Sequence, residues 1–273
     1  MYILLSLWAL TTLFPFVWVV NNSFKPRNLI ITDTFAPAAG DKFTMANYTL
    51  AFKRINIGGA YLRSLIVSVS VMAAVVLLAG LAAYALARYQ FKGRALLDSL
   101  IVASMMFPVF CTIIPVFTMQ KSWGIASSGH AGLSLLSTAL PQIAGNLTFA
   151  IIILRGYIRG LPIDLEESAY LEGCSAIQIF FKIIVPIAKP SFATVAIFSF
   201  LWSYNDLFTQ MFFLRSKAEF TITRLLNELT SMEGTNYGLM AAAVTLVVIP
   251  VLIVYIFLQK YIIKGMTAGA LKG

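Results

Sequence analysis

EESAYLEGCSAIQIFFKIIVPIAKP, residues 166–190, lies between two long apolar stretches yet carries three glutamates, a glycine and two prolines. Its surroundings are built differently. Over 273 residues the chain is 59% hydrophobic and 11% charged, with a mean hydropathy of +0.85, a balance that excludes a soluble domain of this size. A transmembrane helix needs about 20 mostly apolar residues, and six stretches qualify: 2–20, 61–87, 99–119, 132–154, 191–211 and 239–259. The expected fold is an all-α membrane protein of six spans, with residues 161–190 held outside the bilayer between the fourth and fifth.

Locally, that segment reads as a helix pair. Pro162 suits a first helical turn, where its missing N–H costs nothing, and Asp164, Glu166 and Glu167 follow where the helix dipole favours negative charge. A first helix is expected over 162–172, closed by Gly173 in the left-handed conformation that commonly ends helices. Ser175 with Gln178 three residues on is a capping-box pattern that starts a second helix. Ile177, Phe180, Phe181 and Ile184 match the spacing of one apolar face, and Pro186 is expected to stop this helix before Pro190 opens the next span. Such a pair can be an idle interfacial hairpin. The alternative is a handle gripped by another protein. The acidic first helix has no evident partner in the chain, and an element tethered at both ends to spans can turn a push from outside the bilayer into helix tilting.

Basic residues accumulate on the cytoplasmic side of short loops. The 88–98 loop has three, Arg88, Lys92 and Arg94, against Lys121 alone in the 120–131 loop, which puts residues 166–190 and the C-terminus in the cytoplasm. The span beginning near Met1 is read as a transmembrane helix and not a cleaved signal peptide, because its apolar run outlasts an h-region and no basic n-region precedes it. Residues 21–60 form the longest external loop, rich in turn residues. The net charge of +9 raises nucleic acid as a counterpart, but with basic residues on both faces lipid headgroups fit better, and no nucleic acid partner is expected. Cys111 falls in a span and Cys174 in the cytoplasmic segment, so they are not expected to pair or share a metal; both are read as packing residues.

Within the spans, LAGLAAYALA sets Ala79, Ala83 and Ala87 four apart on one helix face, where small residues admit a close neighbour; an ordinary alanine-rich helix reads the same. Pro15, Pro108, Pro115, Pro141 and Pro250 fall inside spans and tend to kink them, which suits a cavity that opens and closes. Intramembrane polar residues are costly and mark functional candidates. Trp202, Ser203, Tyr204, Asn205 and Asp206, with Asn146 in the fourth span, combine hydrogen-bonding groups with aromatic rings. The competing reading has Asn205 and Asp206 capping a helix end or bonding between spans. The loop over 212–238 is expected to expose Arg215, Lys217 and Glu219. Catalytic constellations are not found: there is no H-E-x-x-H and no G-x-S-x-G, and His130 is the only histidine. A G-x-x-x-x-G-K-[ST] phosphate loop is absent too, so neither a metal site nor ATP binding by that route is expected. The other class weighed is an ion-coupled secondary transporter of a small polar solute, which would show mid-membrane ionisable residues and an internal repeat; only Asp206, near an outer end, comes close.

Glu167-Ser168-Ala169, three residues, Gly173, nine residues, Ile183, then Val185-Pro186 resembles the EAA loop of binding-protein-dependent ABC importer permeases. The commonest version of that motif has Ala where Ser168 stands and Leu where Val185 stands. RYQFKGR at 88–94, LWSYND at 201–206 and QKYIIKGMTAGALKG at 259–273 are similar to matching regions of the carbohydrate-importing branch, the maltose-type second permease subunit. The resemblance runs over nearly the whole length.

It implies one transmembrane permease domain over 1–273 with the type I importer fold, residues 161–190 being its cytoplasmic coupling loop, in a bacterial cytoplasmic (inner) membrane. It implies that Glu167 docks into a groove on an ATPase dimer, with Glu166 and Glu172 on the same coupling surface, Ser168 and Ala169 allowing close approach and Gly173 making the turn. The tail, Gly269, Ala270, Leu271, Lys272 and Gly273, would rest against the same ATPase subunits, and Asn146, Trp202, Tyr204, Asn205 and Asp206 would line the substrate path. The implied partners are a second homologous permease, a dimer of ATP-binding subunits and an extracytoplasmic solute-binding protein that delivers a sugar and meets the 212–238 loop. No cofactor is expected on this chain, ATP and Mg belonging to the partner ATPase, and the chain itself is not expected to be an enzyme.

Overall fold

The computed structural model describes residues 1–54, 56–232 and 236–270, and the regular structure among them is helical. In chain order the α-helices are α1 (Tyr2–Ser23), α2 (Arg27–Thr32), α3 (Ala46–Arg54), α4 (Ile57–Arg88), α5 (Arg94–Ser104), α6 (Val109–Ser122) and α7 (Ala131–Arg159). Then come α8 (Asp164–Leu171), α9 (Ala176–Ile179), α10 (Val185–Ile187), α11 (Lys189–Asn205), α12 (Leu207–Phe213), α13 (Ile222–Met232) and α14 (Tyr237–Ala270). Internal contacts group into two units, residues 1–64 with 220–254 and residues 65–219 with 255–273.

In the first unit, the apolar run of α1 buries none of its most hydrophobic window within the chain. Where the run ends, polar residues tie the following loop to it. Asn21 donates to the Ala36 carbonyl at 2.9 Å and accepts from the Ala38 N–H at 2.8 Å. Asn47 Nδ2 donates to the carbonyls of Ser23 and Lys25, each at 2.8 Å. Lys25 is buried and its Nζ donates to the carbonyls of Asp33 and Thr34; burial pushes its pKa below the usual lysine range. The part of this loop from Asn21 to Asn47, turn-rich in sequence, is therefore held by its own side-chain bonds. Asn47 also lies so close to Gly238 that a Cβ there would sit 2.6 Å from its Oδ1. The start of α13 is pinned to α4, since Arg63 Nε donates to the Phe220 carbonyl and Ser64 Oγ accepts the Ile222 N–H, both at 2.8 Å.

In the second unit, Val67, Val71, Val75, Ala79 and Ala83 of α4 are buried every fourth residue, a helical stripe. It packs in one cluster with Leu154 and Ile158 of α7, Phe192 and Val195 of α11, and Ile179, Phe180 and Ile184. Ala79 and Ala83 thus do admit a close neighbour. Between them Gly80 is filled on its open side: a Cβ would meet Phe192 at 2.8 Å and Phe180 at 3.1 Å.

Among the described residues three helices, α1, α4 and α7, are continuous, long and apolar enough to cross a membrane. The third and fifth expected spans are broken. Pro108, read as a kink, instead precedes α6 in an extended conformation, and Met105–Pro108 separate α5 from α6. The fifth is interrupted at Asp206, between α11 and α12. The sixth lies within α14, whose stretch Tyr237–Ile253 is apolar. Pro186 does not stop the helix that begins at Ala176. The chain passes through a π-helical turn, Phe180–Ile184, into α10 and breaks only at Ala188, where its axis bends by 84° into α11. The proline cannot donate to the carbonyl four residues back, and a wider turn absorbs that missing bond. The wide turn also shifts the apolar face: Ile179, Phe180 and Ile184 are buried, while Ile177 and Phe181 are exposed. Cys174 is partly buried, but Cys111 is exposed and not a packing residue; both are free thiols.

Candidate functional site

α8, Asp164–Leu171, is the first helix expected from the sequence, one or two residues shorter at each end. It ends in a Schellman motif. Gly173, at φ +82°, donates to the Tyr170 carbonyl at 3.0 Å, and the next N–H, of Cys174, reaches the Ala169 carbonyl at 3.0 Å. Ser175 then makes a full capping box: its Oγ accepts from the Gln178 N–H at 3.4 Å and Gln178 Oε1 accepts from its own N–H at 2.8 Å. The turn between α8 and α9 is fixed on both sides.

The carboxylates of α8 divide between solvent and core. Glu167 and Glu172 are exposed, as are Ser168 and Gly173, whereas Ala169 is buried. Glu166 is buried as well, accepting from Arg88 Nε at 2.6 Å through Oε1 and from the Tyr84 hydroxyl at 2.9 Å through Oε2. The same guanidinium donates to the Leu161 carbonyl at 3.0 Å. The acidic helix therefore does have a partner in the chain, and Glu166 belongs to its inner face. Alongside, the hydroxyls of Tyr89 and Tyr170 are 2.7 Å apart; that bond, with burial behind it, raises the pKa of Tyr170. Of the C-terminal tail, Gly269 and Ala270 are the last residues of α14, and Leu271, Lys272 and Gly273 lie outside the described residues.

A cavity of about 900 Å³ opens among α6, α7, α11 and α12. Asn146, Trp202 and Asp206 line it, with Gln142, Ser203 and Phe208. Tyr204 and Asn205 do not. Tyr204 is buried with its ring stacked on Phe200, and exposed Asn205 donates to the Leu201 carbonyl at 2.8 Å. Asp206 does what the competing reading held: Oδ1 caps α12 through the Thr209 N–H at 3.0 Å, and Oδ2 accepts from Gln142 Nε2 at 2.8 Å across to α7. It lines the cavity all the same. Gln142 Oε1 accepts from Ser203 Oγ at 2.6 Å and its backbone carbonyl from Asn146 Nδ2 at 2.7 Å. Phe149 and Phe198 hold the Trp202 indole, at centroid distances of 4.9 and 5.7 Å. The wall thus offers aromatic faces beside fixed amides and one carboxylate. The sequence reading missed Gln142, although an amide in an apolar span, four residues from Asn146 and so on its face, carries the same signal of costly intramembrane polarity.

The range expected as a loop over 212–238 contains the helix α13, and of the three residues expected to be exposed one is not. Arg215 and Lys217 are exposed, but Glu219 is buried and accepts from Ser134 Oγ at 3.0 Å. Ser134, in the first turn of α7, supplies the donor that a buried carboxylate needs. Arg215 lies over the Phe117 ring, 4.9 Å from its centroid.

Comparison with known proteins gives this arrangement its context. Residues 75–268 match the family described as binding-protein-dependent transport system inner membrane component. The diacetylchitobiose uptake system permease protein NgcG of Streptomyces coelicolor is 32% identical over 271 residues, 98% of this chain and 87% of that protein. The galactooligosaccharides transport system permease protein GanQ of Bacillus subtilis is 32% identical over 276 residues, 100% of this chain and 94% of that protein. A bacterial ABC transporter involved in importing the acidic polysaccharide alginate has a chain of the same fold, with a TM-score of 0.79 at 22% identity over 95% of this chain and 94% of that one. These relatives are permease proteins of transport systems, which does not favour the ion-coupled secondary transporter. With the family's pattern running through more than half its length, the chain belongs to the binding-protein-dependent transport system inner membrane components, and it is a multi-pass permease subunit of an ABC importer with the type I fold.

Proposed function

We propose that this permease conducts a sugar across a bacterial cytoplasmic (inner) membrane. It is paired with a second, homologous permease, supplied by an extracytoplasmic solute-binding protein and driven by a dimer of ATP-binding subunits that hold the ATP and Mg. The observation that carries the sugar is the cavity lined by Trp202 together with Gln142, Asn146 and Asp206. Saccharides need both kinds of wall, apolar faces for their C–H surfaces and convergent polar groups for their hydroxyls. The relatives point the same way, one named for diacetylchitobiose and another for galactooligosaccharides.

In this reading α8 is the coupling helix. Glu167 is the docking carboxylate, Ser168 the small residue that permits close approach and Gly173 the fixed turn, with Glu172 on the same exposed surface. The tail from Gly269 to Gly273 rests against the same subunits, and the loop that carries Arg215 and Lys217 faces the binding protein. ATP-driven approach of the two ATPase subunits displaces α8, and the spans follow by alternating access. The chain moves solute without bond chemistry of its own.

The test is uptake of radiolabelled mono-, di- and oligosaccharides by cells lacking the chain, complemented with the wild type or with Trp202→Ala. The wild type should restore uptake of at least one saccharide, sensitive to ATP depletion and insensitive to ionophores, and Trp202→Ala should lower it about tenfold. Restored uptake that survives ATP depletion, or restoration of no saccharide at all, overturns the proposal.

A further inference from the structure

Glu166, Arg88 and Tyr84 form a buried cluster that docking and conduction leave unused. α8 is linked by the chain to α7 on one side and, through α9 and α10, to α11 on the other. α4 has no such link. Tyr84 and Arg88 stand one turn apart at the end of α4 and each takes one oxygen of Glu166, at 2.9 and 2.6 Å. Arg88 also holds the Leu161 carbonyl in the turn before α8, at 3.0 Å. The side chains of Arg88 and Glu166 are only 11% and 4% exposed, so both carboxylate oxygens are occupied and turned from solvent. Separating α8 from α4 would strand a buried charge on each side, a far larger penalty than breaking a surface pair.

We propose that Glu166 is a positioning residue, one half of a clamp that makes α4 move with α8. A push on α8 then reaches α4 directly, as well as α7 and α11 through the backbone. This rests on the reading of α8 as the coupling helix and takes Glu166 out of the docking surface.

The experiment uses the complete reconstituted transporter, with the native Cys111 and Cys174 replaced and spin labels attached at Asp164→Cys, an exposed position on α8, and Leu81→Cys on α4. Two quantities are read: ATPase subunits retained on purification, and the change in label distance when ATP is added. With the clamp intact the distance should stay constant on ATP addition. Glu166→Gln should keep the ATPase subunits bound and make the distance ATP-dependent. Tyr84→Phe, which removes one hydroxyl and is the gentler variant for folding, should shift it in the same sense. Exchange of the charges, Arg88→Glu with Glu166→Arg, should bring the distance back towards constancy when either single change does not. Loss of ATPase subunits from Glu166→Gln, a distance that varies with the clamp intact, or an exchange no better than the single variants overturns the clamp. Glu167→Ala separates this from the underlying reading: if α8 is the coupling helix it lowers ATPase retention about tenfold, and if it changes nothing while the distance in Glu166→Gln also fails to respond to ATP, both proposals fall.

Discussion

At Gly80 the chain leaves no room for a side chain. The rings of Phe192 and Phe180 that a Cβ would strike at 2.8 and 3.1 Å belong to buried residues of the same cluster, so neither can swing into solvent to make space. Overfilling of this kind costs about 1–3 kcal/mol, and Gly80→Val should lower the thermal unfolding midpoint of the purified protein in detergent. Gly156→Ala is the control: nothing lies within 4 Å of its Cβ position, and alanine favours the helix by up to about 1 kcal/mol. Its midpoint should hold or rise, and an equal fall in both variants would mean that space at Gly80 is not the cause. Residue identity alone picked out three residues that line the cavity. Asn146, Trp202 and Asp206 were legible because polar and indole groups are costly among lipid tails. Tyr204 and Asn205 carry the same signal yet turn elsewhere, since the side on which a residue faces depends on where α11 ends, and a run of residue types does not mark that point.

At the scale of elements, α8 and α9 were the most legible part of the molecule. Acidic residues in a first turn, glycine in the left-handed region and a Ser–Gln capping pair are local devices, written in neighbouring residues and needing no tertiary context. What escaped was tertiary. The π-helical turn over Phe180–Ile184 absorbs the bond that Pro186 cannot make and lets the helix continue past it, an outcome that a stop signal read from the proline alone does not anticipate. The partner of Glu166 lay 78 positions away at Arg88, beyond any local pattern. Gly173 is where a local device meets function. At φ +82° a residue with a side chain costs about 1–2 kcal/mol, and a β-branched one suits that region least. Gly173→Val should therefore re-aim α8 relative to α9, with ATP hydrolysis by the assembled transporter retained and saccharide uptake sharply reduced. Equal uptake by the variant and the wild type would show that the turn does not transmit force.

At the scale of the whole molecule, hydropathy found where apolar residues accumulate but not where the backbone breaks. Averaging over a window cannot register Met105–Pro108 between α5 and α6 or Asp206 between α11 and α12. The second break decides topology. α11 has 17 residues, roughly 26 Å of helix against a hydrocarbon core of about 30 Å. Adding the 7 residues of α12 brings the length to about 36 Å, enough to cross if the two helices act as one broken span. In that case residues on α8 and residues beyond α12 face opposite sides of the membrane. If the 84° bend at Ala188 instead marks a re-entrant segment, they face the same side. Thiol labelling separates the two. In a background with Cys111 and Cys174 replaced, Lys217→Cys, an exposed position, should react with a membrane-impermeant reagent in intact spheroplasts. Ser168→Cys, exposed on α8, should react only after permeabilisation. Labelling of both from outside, or of neither until the membrane is opened, would mean that α11 and α12 return to the side they came from, and a helix that does not cross could not carry a push on α8 through the bilayer.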